Sequence, residues 1–364
     1  MIEFAPNDHE TAIWQRAQTY AQDVLADRAI AHDGGFVATD SLKDLAKLGL
    51  LTVKADEKHG GLGGSSVAYA GAMRAVAKVC PSTAVMMATT NMVAEMVGKF
   101  GTDEQQARFL PLLSRGERTA GAFALSEPAF GSDAAGLQCR AVWDEASGEY
   151  VLDGGKMWIT AGDIAGVTLI MARTSDAARA GGISAFLVQL PVDGYSAGRH
   201  EKKMGLRGST TVALNLEGLR VPVANRLADE GMGFRIAMTA LDSGRCGIGA
   251  QAVGMGEAAL EAAVKAVKAR GKADKIAGLG QSTDFRIADV ATRLSAAWLM
   301  VLRASALKDA GKRVTRQAAM AKVFATEAAN FACQQMLEVA GPEALNNRSA
   351  VARALRDVRV SRIY

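Results

Sequence analysis

Three zones of hydrophobic patterning divide the chain. From Asn7 to about Arg118 apolar residues recur at three and four positions: Ile13, Ala17, Ala21, Val24 and Leu25, then Leu42, Leu45 and Leu48 before Gly49. That period predicts amphipathic helices. Thr102-Asp-Glu-Gln105 reads as a capping box opening a further helix, and Gly60-Gly-Leu-Gly-Gly64 as a loop between helices. From Thr119 to about Asn225 the period drops to two. Tyr150-Val-Leu152, Val167–Ala172, Ile183–Val188 and Thr211–Leu216 are short strands between Gly, Asp and Pro punctuation, with no helix of useful length among them. From Gly231 an Ala-rich helical pattern returns. It predicts one long helix over Gly233–Arg270, two more over Gln281–Ala310 and Thr315–Ala340, and a shorter one near Ala350–Val360.

The expectation is an α+β multi-domain protein. An N-terminal α-helical domain (1–118) precedes a middle antiparallel β-sandwich or barrel (119–228) and a C-terminal four-helix bundle (229–364). A chain of 364 residues suits two or three packed units.

Composition removes several function classes. The net charge is +4, with no basic run interleaved with aromatics, so nothing points to nucleic acid. Cys80, Cys139, Cys246 and Cys333 are far apart and form no CxxC pair, and the four histidines show no metal-ligand spacing. No disulfide framework or metal site is expected. The N-terminus has no signal-peptide pattern and no run of about 18 apolar residues occurs, so the expected location is the cytoplasm.

The chemistry concentrates in two segments, Phe123-Ala-Leu-Ser-Glu-Pro-Ala-Phe-Gly-Ser-Asp133 and Lys156-Met-Trp-Ile-Thr160. Alone, the first reads equally as turn chemistry, since Asp and Ser bond local backbone and Gly admits positive φ. Trp158 alone is more often a core residue. Together in one β unit, the two segments put hydroxyls, backbone donors and one flat aromatic around something large and planar. Gly247-Ile-Gly249 and Gly254-Met-Gly256 lie in a helical pattern with no preceding strand, so they read as helix-packing points and not as a dinucleotide turn. No P-loop or GxSxG elbow is present.

These segments resemble the flavin-contacting signatures of the acyl-CoA dehydrogenase family. His59-Gly-Gly-Leu-Gly63, Lys202-Lys-Met-Gly-Leu-Arg-Gly-Ser-Thr210, Leu241-Asp-Ser-Gly-Arg245, Ala318-Ala-Met-Ala-Lys322 and Arg356–Tyr364 match further signatures in order, closest to the short-chain and branched-chain branch. The resemblance implies FAD between the β domain and the bundle, with a neighbouring subunit completing the site. Phe123, Leu125, Ser126, Gly131 and Ser132 would then hold the ring, ribityl and pyrophosphate groups. Thr160 would bond near N5, with Ile159 beside it and Trp158 on one ring face. Arg270, Gln281, Glu338 and Gly341 would reach the adenylate half, although Arg270 also reads as a favourable cation at a helix C-terminus. Ser132, Asp242, Ser243, Gly244 and Arg245 would contact an acyl-CoA.

The implied reaction is α,β-dehydrogenation of a short or branched acyl-CoA. A homotetramer and an electron-transfer flavoprotein as acceptor are implied with it. The family's commonest base is a glutamate that would follow Tyr364, and its alternative location falls on Gly244, which has no side chain. Two adenylate-side motifs also depart from the pattern. Arg270-Gly-Lys-Ala273-Asp274 lacks a stacking aromatic, and Glu338-Val-Ala-Gly341-Pro places Pro342 where an amide donor is expected. These departures keep two alternatives open: a base-lacking subunit of a hetero-oligomeric acyl-CoA dehydrogenase, and a flavin monooxygenase on the same fold.

Overall fold

A computed structural model describes residues 5–115, 117–177, 179–271 and 280–364. Helix α1 (Asp8–Tyr20) starts at a capping box between Asn7 and Glu10 and runs through one π turn into α2 (Ala26–Asp33). Then come α3 (Thr39–Lys47), α4 (Ser66–Val79), α5 (Pro81–Phe100) and α6 (Asp103–Arg115). The capping box expected before α6 is present: the Thr102 hydroxyl accepts from the Gln105 amide, and the Gln105 side chain accepts from the Thr102 amide, both at 3.2 Å.

The middle zone folds into one eight-stranded sheet: β1 (Ala120–Ala124), β2 (Arg140–Asp144), β3 (Glu149–Thr160), β4 (Ala165–Arg173), β5 (Ile183–Gln189), β6 (Tyr195–Ala197), β7 (Thr211–Pro222) and β8 (Arg226–Leu227). Most neighbours are antiparallel, but β4 receives β1 and the start of β2 in parallel. Every residue of β4 from Ala165 to Ala172 is buried, because both of its faces are covered. Val167, Leu169 and Met171 face an apolar layer with α5, α6 and the start of the next helix. Ile170 and Ala172 face the interior of the curled sheet, with Tyr150, Phe186 and Leu214. Period-two patterning located β4 but not its parallel partners, since strand direction depends on connections rather than on local sequence.

The C-terminal zone holds α7 (Gly233–Arg270), α8 (Gly280–Asp309), α9 (Thr315–Ala340) and α10 (Ala350–Val358). With 38 residues, α7 is about 57 Å long. Its first residue lies against the Ser184 backbone, and a third apolar cluster along it joins α1, α4, α5, α8, α9 and α10. The glycine pairs inside it are close-packing points, as the sequence suggests. A β-carbon on Gly254 would meet the Arg74 carbonyl oxygen at 2.4 Å, and one on Gly256 would meet Leu294 at 2.5 Å. By length and composition alone α8 could cross a membrane. Here it packs against α7 and α9 while leaving Phe285 and Leu299 exposed.

Candidate functional site

A buried ion pair ties the two predicted segments together. Glu127 and Lys156 keep 6% and 0% of their side-chain surface, with Nζ 2.8 Å from Oε1. Lys156 Nζ also donates to the Leu125 carbonyl at 3.2 Å. The Glu127 carboxylate accepts two further bonds, from the Gln138 amide at 2.7 Å and the Cys139 amide at 2.9 Å. The Met157 amide donates to the Ser126 carbonyl at 2.9 Å. A carboxylate with three donors is well compensated for its burial. Glu127 is therefore engaged in bonds that join the two segments.

This clamp sets the geometry of what stays open. Glu127 and Phe130 exchange amide–carbonyl bonds at 3.1 Å, forming a tight turn over Pro128-Ala129. Beyond it Gly131 and Ser132 are exposed, and a β-carbon on Gly131 would meet nothing within 4 Å. The amides of Ser126, Gly131 and Ser132 have no protein acceptor among the described residues. Across from them, β3 carries a bulge against β7 between Lys156 and Ile159. Trp158 sits in that bulge at φ 61° with 61% of its surface exposed. A left-handed tryptophan costs about 1–2 kcal/mol. A bulge re-aims a side chain, and this one turns Trp158 out of the core. Trp158 is therefore not a core residue.

The remaining predicted residues divide by side chain. Leu125 and Ile159 are buried, so only their backbone faces the open edge. Phe123 is partly buried in the apolar layer shared with Phe234, Met238 and Leu241 of α7. Thr160 pairs with Thr211 and is half-buried. Through that shared layer the segment approaches Asp242–Arg245. Asp242 is ion-paired to Arg245 and accepts from the Thr315 hydroxyl at 2.6 Å. A β-carbon on Gly244 would have a single neighbour within 4 Å, the Met92 sulfur at 3.5 Å, so a small gap separates α5 and α7 there.

Arg270, Gln281, Glu338 and Gly341 lie elsewhere. The Arg270 guanidinium donates to the Val339 and Ala340 carbonyls at 2.7 and 2.6 Å, which places it beside Gly341 at the end of α9. Glu338 is ion-paired to Arg286, and Gln281 is exposed on the first turn of α8. From Leu241 to Arg270 along α7 is about 44 Å. Within one chain the two predicted halves sit at opposite ends of this helix. The motif positions Ala273 and Asp274 lie outside the described residues.

One cluster beside the site has three members with no local sequence signature. Glu95 of α5 is ion-paired to both Lys54 and Lys308. The Ser243 hydroxyl joins them, 2.9 Å from Lys54 Nζ and 2.5 Å from Lys308 Nζ, and it also bonds Glu95. Burial alone would raise the Glu95 carboxyl, but the two ammonium groups outweigh it and hold it at about 2. Burial pulls Lys54 below the ordinary lysine range, with Glu95 opposing. Only Ser243 among the four carries a sequence signal, and the members of the cluster are up to 254 positions apart. Among the described residues no group of His, Cys, Asp and Glu is arranged to hold a metal. The exposed aromatic face, the unpartnered amides and the clamp beneath them fit a flat, hydrogen-bond-accepting ring such as a flavin.

Comparison with known proteins places most of the chain in one family. Residues 7–117 match the acyl-CoA dehydrogenase N-terminal domain, 122–219 the middle domain and 231–364 the C-terminal domain. The chain is 38% identical to an acryloyl-CoA reductase (NADH) of Anaerotignum propionicum, over 89% of its length and 82% of that protein. It is 34% identical to the caffeyl-CoA reductase-Etf complex subunit CarC of Acetobacterium woodii, over 98% of its length and 94% of that protein. The solved structure of butyryl-CoA dehydrogenase from Megasphaera elsdenii superposes with a TM-score of 0.95 at 34% identity, covering 100% of this chain and 95% of that one.

Proposed function

The chain belongs to the acyl-CoA dehydrogenase family, and from that premise we propose that this FAD-dependent oxidoreductase dehydrogenates a short acyl-CoA between its α and β carbons. FAD, when bound, supplies the acceptor for the β hydride. The chain's own residues supply binding and alignment. The unpartnered amides of Ser126, Gly131 and Ser132 offer donors to the ring edge and its ribityl and phosphate groups. Trp158 covers one face and keeps water from it. Phe123 and Leu241 pack the α7 residues Asp242–Arg245 against the same edge, where Arg245 offers positive charge to the CoA portion. The α proton of a thioester is weakly acidic, so donors at its carbonyl oxygen must stabilise the developing charge.

The proton acceptor is a group other than Glu95 of α5 and Asp242 of α7. Glu95 is held at about 2 by its lysines, and Asp242 is bound to Arg245 and Thr315. That observation is consistent with a second reading, in which the chain is a base-lacking subunit completed by a partner. The carrying observation for the first is the outward Trp158 on its strained bulge beside three free amides. The two readings part in one experiment. The purified chain should be yellow and should bleach anaerobically with a short acyl-CoA, butyryl-CoA or glutaryl-CoA; yellow protein that bleaches with neither supports the second, and protein colourless even with added FAD overturns both.

A homotetramer belongs to this reading. A second copy would have to bring Arg270, Gln281, Glu338 and Gly341 to the flavin held by the first, given the separation along α7. The exposed Phe285 and Leu299 of α8 and Met320, Val323 and Phe324 of α9 offer an apolar face for it. Electrons would leave to an electron-transfer flavoprotein, in line with the Etf-complex relative, and the four buried free cysteines suit a cytoplasmic location.

A further inference from the structure

The cluster of Lys54, Glu95, Ser243 and Lys308 carries an unbalanced charge. Two ammonium groups face one carboxylate, and Lys54, Glu95 and Lys308 keep 12%, 12% and 18% of their side-chain surface. Among the described residues no other carboxylate bonds the two lysines: the Tyr69 ring of α4 lies 5.1 Å from Lys54 Nζ, and Cys246 is one turn beyond Ser243 with its thiol pushed up by burial. The cluster is not sealed, and its Ser243 belongs to the Asp242–Arg245 stretch expected to contact the acyl-CoA. Ser243 precedes Gly244, whose open side faces Met92, and Met92 lies one turn before Glu95 on α5.

An alkyl chain ending here would strip water from three charged groups and return no bond, which is costly. A carboxylate ending here would bring the cluster to two cations and two anions, with bonds to both ammonium groups. We propose that Lys54 and Lys308 select acyl-CoA substrates whose acyl chain ends in a carboxylate, an inference that rests on the acyl-CoA reading above. Ser243 holds both lysines toward that end, and Glu95 keeps them charged when the site is vacant.

The test compares glutaryl-CoA with pentanoyl-CoA, which have equal chain length and differ in the terminal charge, by calorimetric binding to the flavin-loaded protein. Glutaryl-CoA is expected to bind at least tenfold tighter. Lys308→Met should reduce that ratio at least tenfold, whereas Lys308→Arg should retain most of it. If Lys308→Met does not fold, Lys54→Met gives the same comparison. Equal affinities, a preference for pentanoyl-CoA, or a ratio unmoved by the methionine variants would overturn the assignment. Flavin bleaching is read separately: binding preference without bleaching by either thioester defeats the dehydrogenation reading alone, and bleaching without preference defeats this inference alone.

Discussion

Lys156→Met is expected to yield a protein that unfolds at lower urea concentration and purifies without flavin. Lys156 is fully buried and neutralises a carboxylate that is nearly so. Removing one member of such a pair leaves an uncompensated buried charge, a loss of about 3–5 kcal/mol. The same Nζ bonds the Leu125 carbonyl, so the substitution also frees the strand end that presents Ser126. Glu127→Gln should act in the same direction, since its amide group would turn a donor toward one of three donors. Urea unfolding of the flavin-free proteins gives the stability change, and absorbance at purification gives the flavin stoichiometry. A Lys156→Met protein that loses stability yet keeps stoichiometric FAD would show that the clamp does not position the cofactor.

The second expected result separates site from scaffold. Trp158→Ala should leave the flavin-free protein within about 0.5 kcal/mol of the parent, as exposed positions do. Its ring makes little of the core, with 61% of the residue exposed, and alanine tolerates φ 61° no worse than tryptophan does. Flavin affinity should nonetheless fall by about 1–3 kcal/mol, the range measured for aromatic side chains stacked on nucleic-acid bases, or about 5- to 150-fold. Titration of flavin-free protein with FAD, followed by fluorescence, measures it. A large loss of stability with unchanged affinity would return Trp158 to the role of an ordinary packing residue.

Local rules made the helices and strands legible. The capping box at Thr102 and the proline-free run from Gly233 to Arg270 both became the elements they predict. The segments around Ser126 and Trp158 stood out because small residues, a proline turn and one aromatic cluster within a few positions. What sequence could not give was pairing at a distance. Lys156 reads as an ordinary strand lysine until the fold places it 2.8 Å from Glu127, 29 positions away. Lys54 comes from the loop after α3, Glu95 from α5 and Lys308 from α8, and nothing in their neighbours marks them. The turned-out Trp158 was also hidden, because a bulge depends on how β3 registers with β7.

The central claim, that the edge between Ser126–Ser132 and Met157–Thr160 grips the flavin, is tested most directly by hydrogen–deuterium exchange of the flavin-free protein with and without saturating FAD. Amides in those stretches without a protein acceptor, those of Ser126, Gly131 and Ser132, should exchange rapidly without FAD and become strongly protected with it, while the buried core of β4 is unchanged. Saturation with FAD that leaves those amides exchanging at their original rates would contradict the account.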